Sequence, residues 1–176
     1  MMYNDRRQEI LKLNRILGSN TVHRLIEMGF TEAPASTKYH GCYDGGLFDH
    51  SIAVANQLIR ISRKLSLPWG RMRSPYIVGI MHDLCKVDQY RKLPEPIDGK
   101  VYEYVETEIK GHGSKSVIYA KRIIDLTPEE EYCIRWHMGA FGDENEQNGY
   151  GRAVQTFPNV LWTHTADMLA SHVSGV

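Results

Sequence analysis

The sequence predicts a single all-α domain that carries a small β-hairpin. Three observations predict this class. The 176 residues suit one domain with a substantial core. Apolar residues recur at helical spacing over most of the chain, while a β-prone composition is confined to about residues 90–110. No internal repeat or interdomain linker interrupts this pattern, so residues 1–176 are expected to form one unit.

Two helices are predicted at the start of the chain. Over residues 5–17, apolar side chains share one helical face and Gly18 marks the stop. A shorter helix over residues 21–28 ends at Gly29. Together they form an N-terminal helical extension, residues 1–30, that either packs on the rest of the chain or forms a dimer face. We favour packing within the chain.

The middle of the chain predicts the central helices. Residues 31–46 are rich in Pro, Ser and Gly and predict a loop, and a long helix with an apolar stripe follows over residues 47–65. After Pro68 and Gly70 break the chain, Pro75 can begin a helix over residues 76–86. That segment is apolar almost all round, so we expect it to be buried.

The second half predicts a hairpin followed by three helices. Turn residues and a Val-Tyr-Glu-Tyr-Val stretch indicate the hairpin between about residues 90 and 110. Helices are predicted over residues 114–125, from Thr127 to about residue 137, and over residues 158–172. Thr127, Pro128 and Glu130 form a strong helix-start signal. The glycine-rich, acidic segment 139–151 predicts a mobile loop.

The composition limits which binding partners and which cellular compartment are expected. With 21 basic and 21 acidic residues, the chain has no global field to attract nucleic acid or anionic membrane, so neither DNA nor a membrane is expected as a partner. Cys42, Cys85 and Cys133 are odd in number and widely spaced, which favours structural thiols in a reducing compartment. With no secretory or membrane-spanning segment evident, a cytoplasmic location is expected.

The segment 79–86, Gly-Ile-Met-His-Asp-Leu-Cys-Lys, is the strongest chemical signal. It places His82 and Asp83 side by side in an apolar helical run, with Lys86 three residues after the carboxylate. An unpaired buried carboxylate carries a large desolvation penalty, which a bound cation would offset. The pair alone is weak, but it gains weight from further ligand-type residues spread along the chain: His50, His112, His137, His164 and Asp167.

The order of these residues along the chain, His50, His82-Asp83, His112, His137 and Asp167, resembles the motif order of the HD-domain superfamily of metal-dependent phosphohydrolases. The resemblance covers about residues 39–171, which would form the HD core. Tyr39-His40-Gly41 and the stretch 45–51, Gly-Gly-Leu-Phe-Asp-His-Ser, are similar to the entry of the first metal helix in the HD domain of bacterial 3′-to-5′ exoribonucleases. Gly111-His112 and the stretch 166–170, Ala-Asp-Met-Leu-Ala, resemble later motifs of the same group.

The resemblance implies an HD-type helical bundle that holds one or two divalent ions. The first ion would be held by His50, His82, Asp83 and Asp167. The second would be held by His112 and His137, with Asp83 as the bridging ligand. Relatives often carry two consecutive histidines where this chain has Trp136-His137, so the occupancy of the second position stays open. A mixed His and carboxylate set suits Mn, Fe, Co, Ni or Zn.

Four further residues have predicted roles around these ligands. Lys86 matches the family lysine that steadies the substrate phosphate, so Asp83 and Lys86 are the predicted catalytic residues. His40 and Tyr43, in the loop before the first metal helix, are candidates for substrate contact. His164 lies three residues before Asp167 and either orients that ligand or is a packed helix residue.

The predicted function is hydrolysis of a phosphate ester of a nucleotide, a cyclic nucleotide or an RNA end by a metal-activated water. The exoribonuclease-like segments favour a phosphodiester. The chain has no room for the separate RNA-binding domain of those enzymes, so a small nucleotide is equally expected. A di-iron oxygenase of the same fold and a nucleotide-sensing module without turnover are the alternatives. A homodimer is compatible with the sequence.

Overall fold

A computed structural model describes residues 3–141, 147–173 and 175 of the protein. Within these residues the chain forms eight α-helices and one two-stranded sheet, which confirms the predicted helical fold with a small hairpin. None of the described helices is long and apolar enough to cross a membrane. In chain order the elements are α1 (Tyr3–Leu17), α2 (Ser19–Glu27), α3 (Gly46–Leu65), α4 (Ser74–Met81), β1 (Tyr90–Ile97), β2 (Lys100–Tyr104), α5 (His112–Lys121), α6 (Pro128–Arg135), α7 (Gln147–Thr156) and α8 (Asn159–His172).

Helix α3 is the centre of the fold and packs most extensively against α4 and α8. The close approach of α4 depends on Gly79, because a Cβ atom there would lie 2.4 Å from the Ala55 Cα. Leu47, Val54 and Leu58 of α3 are fully buried in the same core. The backbone around His50 is therefore held against the end of α4.

The N-terminal helices pack onto this core. Leu13 of α1 and Leu25 of α2 are buried in the same hydrophobic cluster as α3. Arg6 of α1 donates to both carboxylate oxygens of Asp49, at 2.9 and 2.8 Å, in the first turn of α3. The segment predicted as an N-terminal extension thus stabilises the start of the helix that carries His50.

The prediction of one helix over residues 76–86 is wrong in its second half. Helix α4 ends at Met81, and Asp83 leaves the helical region with φ −110° and ψ 19°. Residues Leu84–Val87 then form a 3₁₀ turn, in which side chains three residues apart lie one above the other. Lys86 therefore returns over Asp83, and Cys85 turns toward the start of α5.

The prediction of a mobile loop over residues 139–151 is also wrong where the chain is described. Gly139–Phe141 forms a short 3₁₀ turn, and residues 147–151 belong to α7. Residues 142–146 lie outside the described residues. A Cβ atom on Gly149 would lie 2.2 Å from the Trp136 ring, so this glycine allows α7 to pack closely on Trp136.

The hairpin is joined to the loop that precedes α3. Tyr90 pairs with Tyr104 across the two strands, and Asp98 and Gly99 both have positive φ in the tight turn, as Asp-Gly turns do. Tyr102 donates to the Asp44 carboxylate at 2.6 Å. The hairpin is thus anchored beside the segment that leads to His50.

Candidate metal centre

The six predicted ligand residues come together where five chain segments meet. His50 lies in α3 and Asp167 in α8, while the others sit at helix ends. The side chains of His50, His82, Asp83 and His137 are at most 3% exposed. Three overlapping groups within this cluster are spaced to hold a metal ion: His50 with His82 and Asp167, His82 with Asp83 and His137, and Asp83 with Cys85 and His112.

The first group surrounds Oδ2 of Asp83. The Nε2 atoms of His50 and His82 lie 3.2 Å apart, and they lie 3.5 and 3.4 Å from that oxygen. Asp167 Oδ1 lies 3.2 Å from His50 Nε2 and 4.0 Å from His82 Nε2. Donor atoms on one ion with bonds of about 2.0–2.2 Å are separated by roughly 3–3.5 Å, so these distances suit a shared cation.

The second group surrounds the other oxygen of the same carboxylate. His112 Nε2 lies 2.6 Å from Asp83 Oδ1, and His137 Nε2 lies 3.4 Å from it. Each oxygen of Asp83 therefore faces its own set of imidazole nitrogens. His112 is close enough to hydrogen-bond Asp83 directly, while His137 lies at a spacing from Asp83 that donors on one ion can have.

The tautomers of two histidines follow from their backbone partners. His82 Nδ1 lies 2.9 Å from the Gly79 carbonyl oxygen, and His137 Nδ1 lies 2.7 Å from that of Ile134. A carbonyl oxygen only accepts, so each Nδ1 carries a proton, and in the neutral ring each Nε2 is then the nitrogen that can bind a metal ion. Such second contacts are typical of metal-ligating histidines.

His137 Nε2 is buried and makes no hydrogen bond among the described residues, and the Asp83 carboxylate, whose Oδ1 lies 3.4 Å away, raises the pKa of His137 despite its burial. A buried nitrogen lone pair directed at a carboxylate oxygen is unfavourable unless a proton or a cation lies between them. The nitrogen and oxygen donors present therefore fit a divalent ion of the transition series.

The charges of Asp83 and Lys86 stabilise each other. Burial opposes ionisation of Asp83, but the Lys86 ammonium, His82 and His112 hold the pKa of this carboxyl well below its usual range. Burial likewise opposes the charge on Lys86, but Asp83, whose Oδ2 lies 2.7 Å from the ammonium, raises the lysine pKa. Both groups are charged at neutral pH.

The cluster is partly exposed to solvent. Among its members, His112, Asp167 and Lys86 have the largest exposed fractions, 26%, 15% and 11%. His40 borders the cluster, with its ring centroid 5.0 Å from that of His50. Burial, helped by the charges of His50 and Lys86, lowers the pKa of His40 to about 4, so it is neutral at physiological pH.

Two of the predicted supporting residues have contacts that the sequence did not indicate. The Tyr43 hydroxyl donates to Asp49 at 3.0 Å, alongside the Arg6 contact. His164 Nδ1 donates to the His137 carbonyl oxygen at 2.7 Å, so it supports the segment of His137 rather than Asp167. The contact to Asp167 comes from Ser171, one helical turn further on, at 3.3 Å.

The sequence does not predict the contacts of three residues around this cluster. Two of them contact a candidate ligand, and the third contacts Asp49, the residue before His50. Arg6 reaches Asp49 across 43 positions, and no local pattern indicates that contact. Ser171 was detectable, since it lies four residues after Asp167 in the same predicted helix. The sequence predicts a structural role for Cys85, but its sulfur lies 3.3 Å from His112 Nδ1.

Comparison of the chain with family models, with curated proteins and with solved structures finds no match. The resemblance to the HD-domain superfamily therefore rests on the motifs of the sequence alone.

Proposed function

We propose that the protein is a metal-dependent phosphohydrolase of the HD type. One observation carries the proposal: the two oxygens of Asp83 face two separate sets of histidine nitrogens. A carboxylate that only forms an ion pair needs neither set. A carboxylate that bridges two cations needs both, and a binuclear centre is well suited to phosphate-ester hydrolysis.

The residues present fit two ions of the Mn, Fe, Co, Ni or Zn group. His50, His82, Asp83 and Asp167 would hold the first, and Asp83, His112 and His137 would hold the second. When bound, such ions polarise phosphoryl oxygens and lower the pKa of water toward neutrality.

The surrounding side chains suit an anionic substrate. The Lys86 ammonium lies beside Asp83 at the partly exposed side of the cluster, where it would contact a phosphoryl oxygen. Neutral His40 offers a hydrogen-bonding ring next to His50 without adding charge. Because the chain has zero net charge, recognition of the substrate depends on these local groups.

The proposed substrate is a phosphate ester of a nucleotide, a cyclic nucleotide or an RNA end. This choice rests on the motif resemblance around residues 39–51 and on the lysine beside the cluster. A phosphodiester is favoured over a monoester because those motifs are similar to the ones in exoribonuclease HD domains.

The test combines elemental analysis of the purified protein with phosphodiesterase and phosphomonoesterase assays in added manganese. We expect about two equivalents of transition metal and ester turnover, in line with a binuclear site. His82→Ala should lose metal and turnover, whereas His23→Ala, at an exposed histidine of α2 paired with Glu27, should keep both.

Three outcomes would overturn the proposal. Iron with oxygen consumption and no hydrolysis would indicate a di-iron oxygenase. Metal and nucleotide binding without turnover of any ester would indicate a sensing module. Full activity in His82→Ala would show that the cluster is not the active site.

A further inference from the structure

We propose that a basic cavity between helices α2, α4 and α5 binds the phosphate chain of a small oligophosphate, such as inorganic tripolyphosphate or a nucleoside triphosphate. The cavity uses none of the candidate metal ligands, so this inference is independent of the proposed function. It is a second anion site, in addition to the one proposed at the metal cluster.

The cavity has a volume of about 370 Å³ and an excess of positive charge. Four cationic side chains line it: Arg24 of α2, Arg73 just before α4, and Lys121 and Arg122 at the end of α5. Among the described residues of the wall, Asp125 is the sole carboxylate, which leaves a formal charge of +3. Since the whole chain has zero net charge, this concentration of positive charge is local and favours an anionic ligand.

Two of these cations lack an ionic partner among the described residues. Neither Arg24 nor Arg73 forms an ion pair in the part of the chain that the structure describes. Lys121 forms an exposed pair with Glu131 at 2.7 Å, and such a pair contributes little to stability, so a bound anion can replace it. Three of the four cations are therefore available to a phosphate chain.

Helix stability explains the positions of Arg24 and Lys121 but not that of Arg73. Arg24 and Lys121 lie in the last turns of α2 and α5, where a cation is favourable beside the negative end of the helix dipole. Arg73 directly precedes α4, at the positive end of that helix, where a cation is unfavourable and an anion is favourable. A phosphate group bound there would be attracted by both the arginine and the helix, which gives the placement of Arg73 a physical reason.

The chemistry of the wall favours phosphate groups over nucleobases. No aromatic side chain is among the described residues that line the cavity, and apart from Thr21 its uncharged wall is aliphatic, from Leu17, Ile123 and Ile124. Sites for single-stranded nucleic acid usually add aromatic side chains on which bases stack. A guanidinium can donate two parallel hydrogen bonds to one phosphate group, so three arginines in a cavity of small-molecule size suit a short phosphate chain.

The cavity lies away from the metal cluster. Helix α4 begins beside Arg73 and ends next to His82, and α5 begins at His112 and ends at Lys121. At 1.5 Å per residue, these two helices span about 12 and 15 Å. A ligand in the cavity therefore does not contact the candidate metal ligands, and its binding can be measured without metal.

The experiment is isothermal titration calorimetry of the chelator-treated protein, with inorganic tripolyphosphate and adenosine triphosphate as probes. Chelation removes metal-assisted binding at the cluster. We expect one molecule of either probe per chain and similar affinities, because the phosphate chain supplies the contacts. Arg24→Gln and Arg73→Gln should each weaken binding by about 10-fold or more, as expected for the loss of a charged hydrogen-bond donor. Arg60→Gln, at an exposed arginine of α3 outside the cavity, should leave binding unchanged.

Both arginine variants should keep their fold, because each side chain is exposed and forms no ion pair among the described residues. Absence of binding, or equal affinity in the wild-type protein and both variants, would overturn the assignment. Much tighter binding of adenosine triphosphate than of tripolyphosphate would show that the site recognises the nucleoside, and this would overturn the assignment to the phosphate chain.

RNA provides a further way to overturn the proposal. A single-stranded RNA that binds much more tightly than tripolyphosphate, and that depends on Arg24 and Arg73, would show that this surface binds nucleic acid instead of a small ligand. None of these results bears on the proposed function, which metal content and ester turnover test separately.

Discussion

Two buried carboxylates, Asp83 and Glu130, are surrounded in different ways. Glu130 accepts from Arg71 at both oxygens, at 2.8 and 2.5 Å, and from the Thr127 backbone N–H at 2.9 Å. Each of these partners has a proton to donate. Asp83 has the Lys86 ammonium and His112 as close partners, but its other neighbours are imidazole nitrogens at 3.4–3.5 Å.

The difference shows what identifies a candidate metal site. Burial alone does not, because both side chains are almost fully buried and both have lowered pKa values. What matters is whether the neighbours present protons or lone pairs. Glu130 is bonded to donors within the protein, whereas the Nε2 atoms of His82 and His137 lie 3.4 Å from the Asp83 oxygens, a longer spacing than any of the Glu130 bonds.

The largest effect should come from Asp83→Asn. An amide cannot bridge two cations, so we expect both metal positions to be lost and ester hydrolysis to fall by about 10²–10³-fold or more. Elemental analysis and the manganese-supplemented assay would measure the two losses. An Asp83→Asn variant that keeps two tightly bound ions would show that Asp83, like Glu130, is not a metal ligand.

Glu130→Gln should lower stability and leave metal binding unchanged, the reverse of what is expected for Asp83→Asn. Removing the charge breaks the ion pair with Arg71, which keeps its bond to the Asp125 carbonyl oxygen, and weakens the cap of α6, so we expect the free energy of unfolding to fall by about 2–3 kcal/mol. Metal stoichiometry should not change. Urea denaturation in chelator measures the first quantity and elemental analysis the second.

Glu131→Gln provides the control for this variant. Glu131 is the next residue of α6 and forms a surface pair with Lys121, so its change should alter stability by no more than about 0.5 kcal/mol. Loss of metal from Glu130→Gln but not from Glu131→Gln would show that the Arg71 pair supports the cluster after all.

The two regions should also respond to acid over different pH ranges. The pKa of His40 is lowered from 6.5 to about 4, mainly by burial. As the pH falls, His40 therefore becomes protonated in the unfolded chain at a higher pH than in the folded protein. Stability should therefore fall as the pH drops from 6.5 toward 4. Burial opposes ionisation of Glu130, but its bonds to Arg71 and Thr127 lower its pKa from 4.5. Its contribution to stability should therefore be lost only below pH 4.5.

Denaturation of chelator-treated protein at several pH values would test this separation. His40→Gln should flatten the loss of stability between pH 6.5 and 4 and leave the steeper loss below pH 4.5. An unchanged profile would show that His40 is not the group that resists protonation in the folded protein.

The smallest effect should come from Tyr43→Phe. The hydroxyl is one of several donors to Asp49, and the residue is partly exposed, so we expect a loss of about 1 kcal/mol or less. Metal content and KM should not change, because Asp49, like Glu130, is satisfied by protein donors. A several-fold rise in KM would instead support the predicted contact between Tyr43 and the substrate.

The local features of this fold were predictable where the signal lies within a few residues. The Thr127 capping box is present as predicted, and the Asp98-Gly99 turn forms the hairpin. The candidate ligand residues could be chosen from the sequence because each accompanies a motif that resembles one of the HD-domain superfamily. Their convergence on the two oxygens of Asp83 could not, since it depends on how five segments pack.

The misses have physical causes at particular residues. Gly149 suggested flexibility, but its missing side chain is what admits α7 against Trp136. The end of α4 at Met81 was hidden because Leu84 and Cys85 continue the apolar pattern after His82 and Asp83, so the turn of Cys85 toward His112 was hidden with it. The Arg6 contact joins residues 43 apart, beyond the range of any helical periodicity.

Gly79 limits how this protein can be engineered. Replacing a glycine inside a helix with alanine usually raises helix stability by about 1 kcal/mol, and such changes are a standard route to thermostable variants. Here the added methyl group would collide with the Ala55 backbone and push apart the two helices that bring His50 and His82 together. Gly79→Ala is therefore expected to lower the melting temperature as well as the metal content, so helix propensity alone is a poor guide for engineering at this position.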